Sequence, residues 1–184
     1  MRQKKYFGYN ELGDISRSLK AVKYARRGNT TGEIECFITG KLRKDTSEER
    51  VRQDVARRLV EEYGYEEGDV NIEFPIKMGK NKKRADIVIF SENGKHVQEN
   101  IYIIAEIKST DIKPSDRKEG IGQLKSYVAA CPNSLFALWL GNESLAFKVV
   151  EGKGKRILLQ VPDVPKRGEK LPFRNPQGTR LFLL

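Results

Sequence analysis

The segment IYIIAEIK, residues 101–108, places an apolar strand directly before two charges on one face. Side chains alternate between the two faces of a strand. The odd-numbered positions of this segment are all apolar and share one face: Ile101, Ile103, Ala105 and Ile107. The even-numbered positions begin apolar and end with Glu106 and Lys108. The segment therefore predicts a central strand, covered on both faces, that presents an acid and a base at its carboxyl end.

A helix is predicted well before this strand, in the stretch TSEERVRQDVARRLVEEYGY. Val51, Val55 and Leu59 recur at a spacing of four residues and form an apolar stripe on one helix face. Thr46 or Ser47 can cap the amino end, and Gly64 ends the helix.

Alternating or continuous apolar runs predict further strands at 70–78, 84–90, 134–140, 145–150 and 156–161. Pro75 marks the first of these as an edge strand or a bulged one. A second helix is predicted over 121–130, with apolar residues at Ile121, Leu124 and Val128. The order of helix, three strands, helix and more strands predicts an α/β or α+β fold, with a mixed central sheet flanked by helices.

The amino-acid composition argues against several kinds of functional site. Two cysteines, Cys36 and Cys131, and the single histidine, His96, argue against a disulfide framework, a structural zinc site and most histidine-dependent nucleophilic catalysis. The few cysteines fit a reducing environment, so we expect a cytoplasmic protein. We expect no association with membranes, since no apolar run approaches the length of a membrane span. The net charge of +10 favours a polyanionic partner such as nucleic acid, although a merely soluble basic protein has the same property.

A second carboxylate can reach the charged end of the 101–108 strand. Asp86 stands near the start of RADIVIF, and a polar loop over 91–100 joins that strand to the next. If the two strands pair antiparallel with Phe90 near Ile101, Asp86 falls opposite Ala105 or Glu106.

The chemistry of such a site follows from its ligands. Mg²⁺ prefers carboxylate oxygens, so Asp86 and Glu106 are candidate ligands. Lys108 beside them is a candidate for orienting water and stabilising a charged transition state. The alternative is an ordinary solvated ion pair at a strand end.

Four pieces of the chain together resemble the PD-(D/E)xK nuclease superfamily, and in particular the amino-terminal nuclease domain of type I restriction enzyme motor subunits and related fused restriction–methylation enzymes. They are the helix start SEERVRQ, Asp86, the pair Glu106 and Lys108, and the pair Gln123 and Tyr127. They span about residues 46–140. One departure is Ala85, which stands where the superfamily usually has proline before the aspartate.

The resemblance implies specific roles at the metal. Asp86 and Glu106 would be ligands, the backbone carbonyl of Ile107 would add another, and Lys108 would be the catalytic lysine. The E-x-V-R-Q pattern points to Glu49, rather than Glu48, as a further acid of the site. Glu49 also lies three residues after Thr46, so it could instead belong to a capping box.

Further roles are implied around the site. Gln123 and Tyr127 would support it or contact DNA, with packing under the sheet as the alternative. Arg84, Lys82 and Lys83 would grip phosphates, although a basic turn is usually only solvated.

The resemblance implies a Mg²⁺-dependent DNA endonuclease domain of a restriction–modification system, with Mn²⁺ as a substitute ion. Double-stranded DNA would be the substrate, and methylase, specificity or motor domains or subunits of the same system would be partners. The alternatives are a non-catalytic DNA-binding or docking module of the same fold and an unrelated structural protein.

The same interpretation divides the chain into three parts. Residues 1–45 form a basic segment, whose first 30 residues hold eight lysines and arginines against two acids. Residues 46–160 form the restriction-endonuclease-like domain. Residues 161–184 form a linker rich in proline and glycine, which could lead to a further domain.

Overall fold

The computed structural model describes residues 32–92, 94–152, 154–169 and 181–183. Most of the predicted basic segment, residues 1–31, lies outside the described residues. The helices and strands, in chain order, are β1 Glu33–Glu35, β2 Leu42–Lys44, α1 Ser47–Glu61, β3 Val70–Met78, β4 Asn81–Phe90, β5 Ile101–Ile107, α2 Gly122–Ala130, β6 Phe136–Leu140, β7 Ser144–Gly152, β8 Lys155–Val161 and β9 Leu181–Leu183.

The central sheet has seven strands in the order β3-β4-β5-β6-β7-β8-β9. β5 and β6 are parallel, and every other neighbouring pair is antiparallel. A parallel pair needs a crossover connection, and α2 lies in the connection between β5 and β6. The predicted mixed α/β sheet is therefore confirmed. β1 and β2 form a separate antiparallel hairpin before α1.

The two helices cover opposite faces of the sheet. α1 buries its stripe of Val51, Val55 and Leu59 in one core cluster, which also contains Ile103 and Ile107 of β5. A second cluster packs around α2, and its members include Leu124, Val128, Ile104 and Trp139. All residues of β5 except Tyr102 are buried. The prediction of a central strand covered on both faces is confirmed.

β3 lies at the edge of the sheet, as Pro75 predicted. Proline has no N–H to donate to a neighbouring strand, so it is tolerated where one side of the strand is unpaired. β4 begins at Asn81 rather than at Arg84, since its first residues pair with the end of β3. Lys82 and Lys83 consequently lie in a strand, whereas the sequence predicted them in a turn. The turn itself is shorter and contains Gly79 in a left-handed conformation, with φ of 60°.

The β3–β4 hairpin changes face part-way along its length. The ladder pairs the residues on either side of Glu73 and Asp86 but leaves these two out. Glu73 has φ of 54°, a left-handed conformation that is unusual for a side chain of this type. Ile72 packs in the α1 cluster, whereas Ile76 packs in the α2 cluster. The outer half of the hairpin therefore lies over the α2 face of the sheet.

Side-chain contacts fix the outer half of the hairpin there. The Gln98 amide accepts a hydrogen bond from the Lys77 backbone N–H at 2.8 Å and donates to the Lys77 carbonyl at 3.1 Å. The same amide donates to the carbonyl of Ala130 at the end of α2. The rings of Phe74 and Phe90 meet edge to face, with centroids 5.2 Å apart.

The segment after β8 packs against the carboxyl end of α1. The hydroxyl of Tyr63 donates to Asp163 at 2.5 Å, and that of Tyr65 donates to the carbonyl of Pro165 at 2.7 Å. β9 then pairs with β8 and extends the central sheet. The predicted division of the chain into three parts stays a prediction.

Candidate active site

Asp86 and the end of β5 meet as the strand-pairing hypothesis predicted. Phe90 pairs with Ile101 and Ile87 pairs with Ala105, which places Asp86 across from Glu106 at the next position. The Asp86 Oδ2 accepts a hydrogen bond from the backbone N–H of Ile107 at 2.7 Å. The antiparallel pairing thus brings the two carboxylates to one margin of the sheet.

Glu106 is buried beside the lysine that follows the strand. It is 1% exposed, and its Oε1 lies 2.7 Å from the Nζ of Lys108. Its Oε2 is buried and has no hydrogen-bond partner among the described residues. The backbone N–H of Lys108 donates to the carbonyl of Leu140 at 2.7 Å, which anchors the lysine to β6.

Burial sets the electrostatics of this pair. Burial and the negative charge of Asp86 together raise the pKa of Glu106 to about 8, against the opposing hydrogen bond and charge of Lys108. Burial lowers the pKa of Lys108, but the hydrogen bond to Glu106 and the surrounding carboxylates outweigh it, so that this pKa is raised. Lys108 therefore carries a positive charge across the neutral range.

Arg52 of α1 joins the helix to the carboxylates. Its Nη2 lies 2.7 Å from the Asp86 Oδ1 and 3.2 Å from the Glu48 Oε1, and its Nη1 donates to Glu49. Arg52 is only 6% exposed. The sequence interpretation did not select Arg52. Its spacing of four residues from Glu48 and three from Glu49 is the signal that could have identified it.

The two glutamates at the start of α1 have different surroundings. The Glu49 side chain is 7% exposed, and its carboxylate accepts from Arg52 and from the Gln53 amide, the latter at 2.5 Å. The Glu48 side chain is 41% exposed. Burial and then the charge of Asp86 raise the pKa of Glu48, so the Glu48 carboxylate lies within electrostatic reach of Asp86. The structure thus brings Glu49 to the site through Arg52.

Thr46 caps α1, as one of the two predicted cap residues. Its hydroxyl accepts a hydrogen bond from the backbone N–H of Glu49 at 3.1 Å. In a capping box, the Glu49 carboxylate would accept a hydrogen bond from the backbone N–H of Thr46. Here it accepts from the side chains of Arg52 and Gln53 instead.

Gln123 and Tyr127 form a relay behind the site. The Gln123 amide donates to the Tyr127 hydroxyl at 2.7 Å, and that hydroxyl donates to the carbonyl of Arg84 at 2.7 Å. Burial and then the charge of Glu106 raise the pKa of Tyr127. The pair therefore holds β4 two residues before Asp86, an arrangement suited to supporting the site.

The predicted phosphate-gripping residues lie outside this cluster. The Arg84 side chain is 72% exposed and lies 4.0 Å from Glu73. Lys82 and Lys83 are exposed, and within the described ranges neither forms an ion pair. They extend from the site along the outer half of the β3–β4 hairpin.

An open cleft of about 580 Å³ lies beside these groups. Its lining mixes basic, acidic and hydroxyl side chains from β2, β3, the start of α1 and the segment after β5: Arg43, Lys44, Thr46, Ser47, Glu48, Glu49, Arg52, Glu73 and Ser109. In the part of the chain that the structure describes, no group of three or more His, Cys, Asp or Glu side chains is arranged to hold a metal ion.

A comparison with models of protein families shows which family the chain belongs to. The family described as type I restriction enzyme R protein N terminus (HSDR_N) matches residues 47–165 of the 184-residue chain. The chain belongs to this family. The match covers Asp86, Glu106, Lys108, Gln123 and Tyr127, and it supports a nuclease role in a restriction system.

No curated protein and no solved structure matches this R-protein amino-terminal domain. Across its described residues, no helix is long and apolar enough to cross a membrane.

Proposed function

We propose that this R-protein amino-terminal domain is a Mg²⁺-dependent DNA endonuclease that hydrolyses phosphodiester bonds with an activated water. The observation that carries the proposal is the convergence of Asp86, Glu106 and Lys108 at one sheet margin. Two carboxylates beside a protonated lysine are the groups that metal-assisted phosphodiester hydrolysis needs, and Arg52, which contacts Asp86, lines the neighbouring cleft.

The carboxylates fit a hard divalent cation. The buried Oε2 of Glu106 has no hydrogen-bond partner within the described residues, although a buried carboxylate oxygen without a partner is costly. Mg²⁺ is usually held by one or two carboxylates plus substrate phosphates, and Asp86 and Glu106 supply that pair. When bound there, Mg²⁺ supplies an acidified water and positive charge beside the phosphate. Mn²⁺, which takes the same ligands, is the expected substitute.

The remaining side chains have positioning and electrostatic roles in this proposal. The ammonium of Lys108 stabilises negative charge that develops on the phosphate. Arg52 orients Asp86 and holds Glu49 and the start of α1 against the sheet. Glu48, whose carboxylate is half-exposed on the cleft, is better placed than Glu49 to reach a metal ion or its waters. Glu49 acts through Arg52.

Double-stranded DNA is the proposed substrate. Arg84, Lys82 and Lys83 extend from the site as exposed cations and are suited to phosphates of the backbone. The net charge of +10 supports a polyanionic substrate. Methylase, specificity or motor domains or subunits of the same restriction system are the proposed partners.

Plasmid nicking tests the proposal. The wild-type chain and the variants Asp86→Ala, Glu106→Ala and Lys108→Ala are incubated with supercoiled plasmid and Mg²⁺ or Mn²⁺. We expect metal-dependent nicking by the wild type alone, with folding and DNA affinity retained in the variants. Nicking that persists in Glu106→Ala and Lys108→Ala would refute the site. DNA binding by the wild type without nicking, even with partner subunits added, would instead favour a non-catalytic docking module.

A further inference from the structure

Glu73 lies among three arginines on the wall of the cleft. Its Oε2 is 3.0 Å from the Nη1 of Arg43 and 4.0 Å from the Nη1 of Arg84, and its Oε1 is 3.8 Å from the Nη1 of Arg52. The three arginines come from β2, β4 and α1, so three separate elements converge on one carboxylate. Arg52 has Asp86 as its shorter contact, which leaves Arg43 and Arg84 as the cations that face Glu73 most directly.

The backbone of Glu73 is held in an unfavourable conformation. Its φ of 54° is the only positive value of a non-glycine residue in the described ranges. A left-handed conformation costs roughly 1–2 kcal/mol for such a residue, and it persists where the surroundings determine it. Placing the Glu73 carboxylate between the arginines therefore costs conformational free energy. The preference of glutamate for ordinary strand geometry does not explain this backbone conformation.

Arg43 has donor capacity beyond its contact with Glu73. Its Nε is buried and lacks a hydrogen-bond partner among the residues that the structure describes, and the nearest carboxylate oxygen in ion-pair range, from Glu49, is 3.8 Å away. Guanidinium groups bind carboxylates and phosphates through the same planar fork of donors. Arg43 lines the cleft, and Arg84 is exposed beside it. A phosphate oxygen could thus take the place of the Glu73 Oε2, which faces both Arg43 and Arg84.

We propose that Arg43 and Arg84 form a cradle for one backbone phosphate of duplex DNA, and that Glu73 competes with that phosphate for the two arginines. Binding of DNA then exchanges one anion for another: the Glu73 carboxylate leaves the cradle as the phosphodiester enters. The cradle sits at the wall of the cleft that holds Glu48 and Arg52, so it fixes the strand next to the site. This inference rests on the proposed DNA substrate.

Equilibrium binding to a fluorescent DNA duplex, measured in EDTA so that no cleavage occurs, tests the cradle. Glu73→Gln removes the competing charge while keeping the shape, and we expect the full chain to bind DNA about threefold to tenfold more tightly. Arg43→Gln loses one phosphate contact, and the slope of log affinity against log salt should become shallower by about 1. Arg84→Gln should act in the same direction.

Glu61→Gln is the matched control for Glu73→Gln. It changes the net charge by the same amount at the exposed carboxyl end of α1, roughly 14 Å along the helix from Arg52, the last α1 residue that lines the cleft. An increase for Glu73→Gln no larger than that for Glu61→Gln, or wild-type salt slopes for both arginine variants, would overturn the cradle.

Folding and the proposed function are separated by two further measurements. Thermal melting followed by circular dichroism establishes that each variant is folded, and Arg84→Gln, at an exposed position, decides the outcome if Arg43→Gln is unfolded. Wild-type protein that binds no duplex at low salt would overturn both the cradle and the DNA substrate. Wild-type binding with indifferent variants would overturn the cradle alone.

Discussion

The Nη2 of Arg52 lies 2.7 Å from the Oδ1 of Asp86 and connects α1 to β4 across 34 positions of sequence. The same guanidinium holds Glu48 and Glu49, so one buried cation organises the acids of both elements. Asp86 uses its other oxygen on the backbone N–H of Ile107. The orientation of the Asp86 carboxylate is thus fixed from the helix and from β5.

Replacing Arg52 with methionine tests this organisation. We expect Arg52→Met to lower the free energy of unfolding by about 3 kcal/mol, because it leaves the nearly buried carboxylates of Glu49 and Asp86 without their cation. Urea denaturation measures the change. Arg50→Met, on the same helix, removes an arginine that pairs with Asp45 but is itself exposed, and it should cost much less. Equal losses in the two variants would show that Arg52 does not have this role.

The adjacent glutamates of α1 give a second prediction. Glu49→Gln loses a buried, charge-assisted contact with Arg52 and should lower the free energy of unfolding by about 2 kcal/mol. Glu48→Gln should change stability little but raise the Mg²⁺ concentration for half-maximal cleavage roughly tenfold. Denaturation curves and metal titrations of both variants measure these effects. The reverse pattern would assign the metal to Glu49, as the E-x-V-R-Q pattern implied.

The raised pKa of Glu106 predicts a pH-dependent stability. In the folded protein this pKa is about 8, above the ordinary glutamate value of 4.5, so between these values the folded state binds more protons than the unfolded state. The stability contributed by Glu106 is therefore present below about pH 4.5 and is lost as the pH rises towards 8. We expect wild type to lose about 1 kcal/mol per pH unit relative to Glu106→Gln. Denaturation in EDTA at pH 5, 6.5 and 8 measures the difference, and parallel curves for the two proteins would contradict it.

The candidate site divides into a part that sequence predicts and a part that tertiary packing determines. The alternation in β5 and the polar loop before it were enough to place Asp86 opposite Ala105 or Glu106, within one residue of the register that the structure shows, because antiparallel register follows from local pairing. Arg52 was not predictable in this way, since its partner Asp86 is reached only when α1 packs on the sheet.

The length and path of the β3–β4 hairpin could not be predicted from the sequence either. The sequence placed Lys82 and Lys83 in a turn, because a run of polar and basic residues lacks the apolar alternation of a strand. Their strand conformation comes from pairing with the end of β3, whose other contacts are to Gln98 and the α2 face. The left-handed conformation of Glu73 has no counterpart in residue propensity, which disfavours it for glutamate.

Lys82 and Lys83 test the hairpin as a DNA-binding element. We expect the double variant Lys82→Ala/Lys83→Ala to bind duplex DNA more weakly, with a salt slope shallower by about 2, because two phosphate contacts are lost. Fluorescence anisotropy from low to moderate salt measures both quantities. Lys155→Ala/Lys166→Ala removes the same charge from other exposed positions and should leave the slope nearly unchanged. Identical slopes for the two double variants would mean that the hairpin does not contact DNA.

The left-handed backbone of Glu73 predicts an inverted preference between glycine and alanine. Glycine normally destabilises a strand relative to alanine, but it adopts positive φ without a steric penalty. Since both substitutions remove the carboxylate, their difference isolates the backbone, and Glu73→Gly should be more stable than Glu73→Ala by about 1 kcal/mol. Urea denaturation of both variants measures it. At Glu151, an exposed position of β7 without a positive φ, the same pair should show alanine as the more stable residue. Alanine favoured at both positions would show that Glu73 carries no backbone strain.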